Sequence, residues 1–285
     1  MNLLDEFLTI HNITREAYYK GDNVANKWVF RYYCFQQLPK IRIPKLPDIQ
    51  LDSKYETCLI EFRIFPHLEF IIRNAILKLG PTWSHTVICG TSNYDYMRKM
   101  CSDIHPNIKL IQLPCDNLDP RGGYSDLLTS LEFWNLLVGD KILIHQEDSC
   151  IFKTNVEDFL KYDYIGAPWD FISSKVWLIN SNIHVPVGNG GFSLRTKQVM
   201  IDIIHKASTR YIHDSEDVYF SKFMQRFNIG NLPDPATAFK FSSEKLVNKN
   251  SFGGHDFFNF ESDWVSRCNE NCIDCYNIDF DKDTT

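Results

Sequence analysis

The 285-residue sequence contains no long apolar run and no block of basic residues. A helix that crosses a membrane needs about 20 consecutive apolar residues, so no membrane span is expected. Lys and Arg number 30 against 36 Asp and Glu, which gives a formal net charge of −6. A protein with this charge balance and no basic stripe is not expected to bind nucleic acid.

The beginning of the sequence also lacks a secretory signal, because Asp5 and Glu6 interrupt the stretch that would have to be apolar. Six of the nine cysteines are scattered singly, and Cys58 and Cys89 lie in apolar runs, as buried free thiols do. Free thiols are typical of a reducing compartment. We therefore expect a soluble, cytoplasmic protein.

The other three cysteines, Cys268, Cys272 and Cys275, have the spacing C-x3-C-x2-C. Three thiolates lack the fourth ligand of a structural zinc site, which His255 or a more distant residue could supply. We rank zinc below an unmetallated or disulfide-bonded tail.

Apolar runs alternate with amphipathic segments through the middle of the chain. Strands are predicted at 57–62, 85–90, 108–113, 142–144 and 192–195, and helices at 68–79, 94–101, 125–137, 156–161, 197–206 and from 216. Gly80 and Gly139 follow two of these helices and are helix-stop signals. The alternation predicts an α/β fold with a mostly parallel central sheet flanked by helices.

Three regions are expected along the chain. Residues 1–53 are predicted to be an N-terminal accessory segment, with a short helical stretch, an aromatic-rich piece and a proline-punctuated connector. Residues 54–261 would form the main domain, and 262–285 a polar tail that contains cysteines. The accessory segment could pack on the domain or form a contact in a homodimer.

The predicted strand 142–144 runs directly into Gln146, Glu147 and Asp148. Open α/β sheets bind ligands at the carboxyl ends of their strands. Carboxylates there can hold a divalent cation, and the cation can neutralise a diphosphate. His255, in a glycine-hinged loop, could be a further metal ligand or a donor to phosphate. The alternatives are a solvated turn and an ordinary surface or core histidine.

Four other side chains could face a nucleotide. Glu61 and Arg63 follow the first strand, and Arg121 and Tyr124 lie in the segment DPRGGYSD. Arginine pairs naturally with diphosphate oxygens, because its planar fork matches their geometry.

Gly190 and Gly191 belong to the densest glycine cluster and could form the floor of a sugar site, since glycine lets backbone approach a ligand closely. An ordinary tight loop is the alternative. Glu216 and Asp217 begin a predicted helix. They could simply cap its dipole, or one of them could take a proton from an attacking hydroxyl.

In this order, the segments resemble the poorly characterised GT-A-like glycosyltransferases of bacteria and large DNA viruses. The resemblance covers residues 55–260, and its most specific parts are YIGAPW and GNGGFSLR, with ILIHQEDS before them and EDVYFS after. It implies a GT-A-type domain that binds a nucleotide-sugar donor, most often a UDP-sugar, with Mn²⁺ or Mg²⁺ as cofactor. The expected acceptor is a glycan or a protein, and the expected location is the cytoplasm, including that of a virus-infected cell.

The resemblance also implies roles for individual residues. Asp148 and His255 would bind the metal, and Asp217, with Glu216 beside it, would deprotonate the acceptor hydroxyl in an inverting transfer. The donor side would be lined by Glu61, Arg63, Arg121, Tyr124, Gln146 and Glu147, and the donor–acceptor floor would consist of Gly190, Gly191 and Trp169.

One position departs from the family pattern, because Gln146 stands where the DxD metal motif has its first acid. Metal-dependent and metal-independent transfer therefore both stay open, as does an inactive carbohydrate- or nucleotide-sugar-binding protein on the same scaffold. A sugar-phosphate nucleotidyltransferase ranks lower, since it would have a glycine-rich phosphate loop after the first strand. The segment EFRIFPHLEF has no glycine.

Overall fold

The structure, a computed structural model, describes residues 9, 23–170, 178–179, 183–207 and 215–276. The helical stretch predicted near the N-terminus and the acidic end of the tail lie outside these residues. In the described part of the chain, no helix combines the length and the apolar character needed to cross a membrane.

A mostly parallel sheet forms the centre of the molecule. The strands, in chain order, are β1 (Tyr55–Ile60), β2 (Trp83–Cys89), β3 (Lys109–Gln112), β4 (Lys141–His145), β5 (Ser149–Ile151), β6 (Tyr164–Ile165), β7 (Phe192–Thr196), β8 (Ser242–Ser243) and β9 (Gly253–His255). The central sheet has the order β3-β2-β1-β4-β7-β6. Strands β1 to β4 are parallel, and β7 is antiparallel to both of its neighbours.

Helices cover both faces of this sheet. They are α1 (Asn23–Gln36), α2 (Leu38–Ile41), α3 (Leu68–Leu79), α4 (Tyr94–Ile104), α5 (Gly123–Leu128), α6 (Leu131–Leu136), α7 (Lys197–Lys206), α8 (Glu216–Phe227), α9 (Pro235–Phe241) and α10 (Trp264–Cys268). Alternate residues of β1 point to opposite faces: Cys58 and Ile60 pack toward α6–α8, and Leu59 toward α3 and α4. The predicted α/β class, with a mostly parallel sheet flanked by helices, is confirmed.

Two of the predicted helices were wrong in detail. The helix expected at 125–137 is broken into α5 and α6, because Ser130 adopts an extended conformation and its Oγ accepts a hydrogen bond from the Phe133 amide at 3.2 Å. This is an N-cap, which starts a new helix. The helix expected at 156–161 is a short 3₁₀ helix, Val156–Phe159.

A second, small sheet of order β5-β9-β8 lies beside the first and was not predicted. Strand β5 follows β4 after only three residues, 146–148, and pairs antiparallel with β9. In this register Ser149 lies opposite His255. The small sheet therefore brings His255 to the carboxyl end of β4.

Both ends of the described chain meet in one aromatic cluster. Phe30 of α1 is fully buried and stacks on Phe258, with ring centroids 4.6 Å apart. Phe257 and Trp264 also contact Phe30. Helix α1, from the predicted accessory segment, is thereby packed on the main domain.

The cysteines of the tail join the same cluster. Cys268 and Cys272 are buried there with Cys34 and Cys150, and Cys275 is exposed. All nine cysteines are free thiols. Across the described residues, no group of three or more His, Cys, Asp or Glu side chains is arranged to hold a metal ion.

Candidate active site

A cavity of about 460 Å³ opens at the carboxyl ends of β1 and β4. We call it the strand-end cavity. Its wall is formed by Lys27, Ile60, Glu61, Phe62, Arg63, Asn117, Leu118, Asp119, Pro120, Gly122, Tyr124, Ser125, Gln146, Glu147 and Asp148. This is the position where open α/β sheets bind their ligands.

Asp148 is a buried carboxylate between two cationic side chains. Its Oδ2 forms an ion pair with Lys27 Nζ, and its Oδ1 lies 3.3 Å from His255 Nε2. Burial alone would raise the pKa of Asp148, but the charges of His255 and Lys27 lower it well below its usual range. Asp148 is therefore ionised at neutral pH.

His255 connects Asp148 to Gln146. Its Nε2 lies 3.1 Å from Gln146 Oε1, and its Nδ1 lies 3.8 Å from Glu244. Burial alone would lower the pKa of His255, but Asp148 and Glu244 raise it well above its usual value. The side chains of Gln146, Asp148 and His255 therefore converge on one point beside the cavity.

These three side chains could hold a divalent cation if the ion displaced the proton of His255, because a ligating imidazole must be neutral. A carboxylate oxygen, an amide oxygen and an imidazole nitrogen are all ligands that Mn²⁺ accepts. Asp148 Oδ1 is buried and faces His255 Nε2 at 3.3 Å, so a metal ion at this oxygen would replace that contact. The other oxygen of Asp148 is already paired with Lys27, so a metal would share this carboxylate with an ammonium group.

Glu147 lines the cavity, but both of its oxygens are engaged by the protein. Arg31 grips them with two nitrogens, Nε at 3.0 Å from Oε2 and Nη2 on Oε1, and His67 Nε2 lies 3.0 Å from Oε2. Burial and Asp148 would raise the pKa of Glu147, but His67 and Arg31 lower it to about 2. Glu147 thus ties α1 to the end of β4.

Of the predicted nucleotide-side residues, Glu61, Arg63 and Tyr124 line the cavity and Arg121 does not. Arg63 Nε and Nη2 donate to the two oxygens of Glu61 at 2.7 and 2.8 Å. The side chain of Arg63 is 52% exposed. That of Arg121 is 88% exposed and pairs with Asp119, so it lies at the rim.

Gly190 and Gly191 lie between two groups of predicted site residues. A Cβ on Gly190 would overlap a carboxylate oxygen of Glu216, and a Cβ on Gly191 would overlap the ring of His255. The Gly191 carbonyl also accepts a hydrogen bond from the Gln146 amide at 3.1 Å. Both positions require glycine, because any larger residue would displace one of these side chains.

Trp169, predicted as part of the same floor, lies elsewhere. It lines a neighbouring apolar groove together with Pro186 and Phe239 and does not line the strand-end cavity. Its position as the last residue of the YIGAPW block did not predict this placement.

Glu216 is fixed by a buried ion pair at the start of α8. Its Oε1 accepts a hydrogen bond from Arg195 Nη2 at 3.0 Å, and its Oε2 lies 3.4 Å from Ser125 Oγ. Arg195 is itself buried in β7, where its guanidinium lies 4.6 Å from the ring centroid of Tyr164. Glu216 therefore holds the first turn of α8 against β7.

Asp217 follows Glu216 and differs from it in environment. It is half-buried and accepts hydrogen bonds from the Val218 amide, at 2.7 Å, and from Ser215 Oγ. Burial and the neighbouring charge of Glu216 raise the pKa of Asp217 to about 7. A carboxyl that titrates near neutral pH can take up a proton in a reaction, as a general base must.

Three residues of this site were not predicted from the sequence: Lys27, Arg31 and His67. Lys27 and Arg31 are four residues apart on α1 and so lie on one face of that helix. The sequence feature that could have identified them is a pair of cations at this spacing inside an aromatic-rich segment. His67 directly precedes α3, and nothing in its sequence context indicates a contact with Glu147.

A family model described as "Protein of unknown function (DUF5672)" matches residues 107–255, more than half of the sequence. The chain belongs to this family. The family description names no activity. The matched segment contains Asp148, Asp217 and His255, whereas Lys27 and Arg63 lie before it.

No match was found among curated proteins. Among solved structures, the chain is similar to the apo structure of the bifunctional glycosyltransferase WbbM, with 12% sequence identity and a TM-score of 0.48. The alignment covers 78% of this chain and 50% of the WbbM chain. This chain thus spans half the length of that protein.

Proposed function

We propose that the protein is a glycosyltransferase that moves a sugar from a nucleotide-diphosphate donor, a UDP-sugar, to an acceptor hydroxyl with inversion. One observation carries the proposal: Gly190 lies against the carboxylate of Glu216, the residue before Asp217, and Gly191 lies against His255, the partner of the ionised Asp148. The order of motifs that resembles the GT-A-like glycosyltransferases supports the same function.

The strand-end cavity is the donor side in this proposal. Its volume of about 460 Å³ falls in the range of small-molecule sites. Glu61, Arg63 and Tyr124 would line the nucleotide, and Asp148, His255 and Gln146 would hold Mn²⁺ or Mg²⁺. When bound, such an ion acts as a Lewis acid that stabilises negative charge on the diphosphate leaving group.

Asp217 is the base on the acceptor side. Its carboxylate takes the proton of the acceptor hydroxyl, whose oxygen then attacks the anomeric carbon while the bond from that carbon to the diphosphate breaks. Attack from the side opposite the leaving group inverts the configuration. Glu216, paired with Arg195, positions Asp217 by fixing the start of α8.

The test is release of UDP when the purified protein is incubated with UDP-sugars and Mn²⁺. We expect slow hydrolysis of a UDP-sugar by the wild type and a loss of about 100-fold or more in Asp148→Ala, because Asp148 would hold the ion that stabilises the developing negative charge. Asp103→Ala, an exposed carboxylate on α4, is the matched control and should retain full activity. Near-normal turnover by a folded Asp148→Ala variant would refute the assignment.

The second candidate is an inactive protein that binds carbohydrate or nucleotide sugar. Two observations favour it: Gln146 replaces an acid, and Arg31 and His67 engage Glu147, which leaves Asp148 as the one available carboxylate of the 146–148 turn. The same incubation separates the two candidates. Binding of a UDP-sugar without any release of UDP favours the binding protein.

A further inference from the structure

Helix α1 inserts a lysine into the strand-end cavity. Lys27 forms part of the cavity wall, pairs with Asp148 Oδ2 and lies 3.5 Å from Glu147 Oε1. Its side chain is 34% exposed, so the ammonium group contacts both the acidic strand end and the space of the cavity. Neither the family match nor the resemblance includes this residue.

The position of Lys27 is held by several contacts of α1. One turn later, Arg31 is buried, grips Glu147 and lies 4.3 Å from the ring centroids of both Trp28 and Phe65. Phe30 anchors the same helix in the aromatic cluster. Because Arg31 and Phe30 both have buried partners, Lys27 is a fixed component of the site and not a mobile surface lysine.

The charges of the cavity are balanced before any ligand enters. Each of the four carboxylates of the cavity wall pairs with a permanent cation: Glu61 with Arg63, Asp119 with Arg121, Glu147 with Arg31 and Asp148 with Lys27. Arg31 is not available to a ligand, because it is buried and donates hydrogen bonds to both oxygens of Glu147. Lys27 and Arg63 are the two cations that also border the open space.

Both of these cations have N–H donors that are not used in their ion pairs. An ammonium group has three donors, and Lys27 directs one to Asp148. Arg63 uses Nε and Nη2 on Glu61, and within the described residues its Nη1 has no hydrogen-bond partner. A diphosphate in the cavity could therefore accept charge-assisted hydrogen bonds from both side chains without breaking either existing ion pair.

We propose that Lys27 and Arg63 bind the diphosphate of the donor directly, so that the site binds pyrophosphate groups without a divalent cation. The inference rests on the proposed function for the identity of the ligand. Lys27 supplies a compact charge next to Asp148, and Arg63, which approaches the same Glu147 oxygen, supplies the Nη1 group that Glu61 does not engage. The N-terminal helix is in this way a component of the donor site.

The test measures binding of inorganic pyrophosphate to the full chain by titration calorimetry in excess EDTA. We expect the wild type to bind, and Lys27→Met to bind about 10- to 100-fold more weakly, because one charge-assisted hydrogen bond contributes this much. Lys99→Met, on the exposed face of α4, is the matched control and should bind like the wild type. Lys27→Arg keeps the charge and should retain most of the affinity.

Loss of Lys27 also leaves Asp148 without one partner, so folding of each variant is checked by thermal unfolding. If Lys27→Met does not fold, Arg63→Met serves in its place, because its side chain is half-exposed; the same loss of affinity is expected. The proposal is overturned if the wild type binds no pyrophosphate in EDTA, or if the folded variant binds within twofold of it.

The experiments distinguish failure of the role proposed for Lys27 from failure of the proposed transferase function. Sugar transfer by the wild type, combined with unchanged pyrophosphate binding by Lys27→Met, would overturn the role of Lys27 alone. Absence of transfer with every UDP-sugar, combined with weakened pyrophosphate binding by Lys27→Met, would overturn the transferase and leave the anion site standing.

Discussion

Two aspartates at the site have opposite pKa shifts, and the shifts correspond to different tasks. The cations His255 and Lys27 keep Asp148 ionised in spite of its burial. For Asp217 the largest influences are burial and the negative charge of Glu216, and both raise its pKa, to about 7. A fold that separates the pKa values of two carboxylates in this way can use one for charge stabilisation and the other for proton transfer.

The raised pKa of Asp217 predicts the pH dependence of sugar transfer. Asp217 acts as a base only when it is deprotonated, so kcat/KM should fall about tenfold per pH unit below about pH 7 and level off above it. Asp217→Asn should lose about 100- to 10,000-fold of the activity and the acidic limb of the profile. The measurement is UDP release between pH 5 and pH 9.

Asp95→Asn, an exposed position on α4, is the control and should keep the wild-type profile. If Asp217→Asn retains both its rate and the acidic limb, Asp217 is not the base.

At the residue scale, the sequence predicted the acidic and glycine positions better than the basic ones. Asp148 and His255 were predicted as one metal site, and the structure places them 3.3 Å apart, although their metal binding stays a prediction. Lys27 was missed because a lysine on a helix usually points to solvent. Only the tertiary packing of α1 brings it to a strand end more than 100 residues later.

Among the elements, the amphipathic helix α3 could be predicted, whereas the aromatic-rich helix α1 and the shortest strands could not. Helix α3 has the predicted bounds, because its apolar spacing and Gly80 define both ends. Strands β5, β8 and β9 have two or three residues each, too few to show an alternating pattern. The partners β5 and β9 are also about 100 residues apart, so no hairpin turn signals their pairing.

Helix α1 is the element on which the proposed donor site depends most. Phe30 is fully buried between Phe257, Phe258 and Trp264, so Phe30→Ala should destabilise the protein by about 3–5 kcal/mol through lost contacts and a cavity. Urea unfolding measures this change. Val265→Ala, at an exposed position on α10, is the control and should cost far less.

A destabilisation by Phe30→Ala no larger than that of Val265→Ala would mean that α1 does not pack in the aromatic cluster. The placement of Lys27 in the cavity would then lose its structural basis.

On the scale of the whole molecule, the site is larger than the family segment. The match to residues 107–255 includes β4 and its strand end but excludes β1, β2 and α1. Strand β4 pairs with β1 in the centre of the sheet, and Glu61 and Arg63 directly follow β1. Of the residues that line the strand-end cavity, Lys27 and residues 60–63 precede the matched segment and the others lie within it, so the cavity is completed by parts of the chain outside that segment.

A crystal structure of the protein with UDP and Mn²⁺ would show where the donor binds. We expect the diphosphate in the strand-end cavity, about 3 Å from Lys27 Nζ and Arg63, with Asp148 and His255 beside it. Binding of UDP in another part of the molecule, such as the groove lined by Trp169 and Phe239, with the strand-end cavity empty, would contradict this expectation.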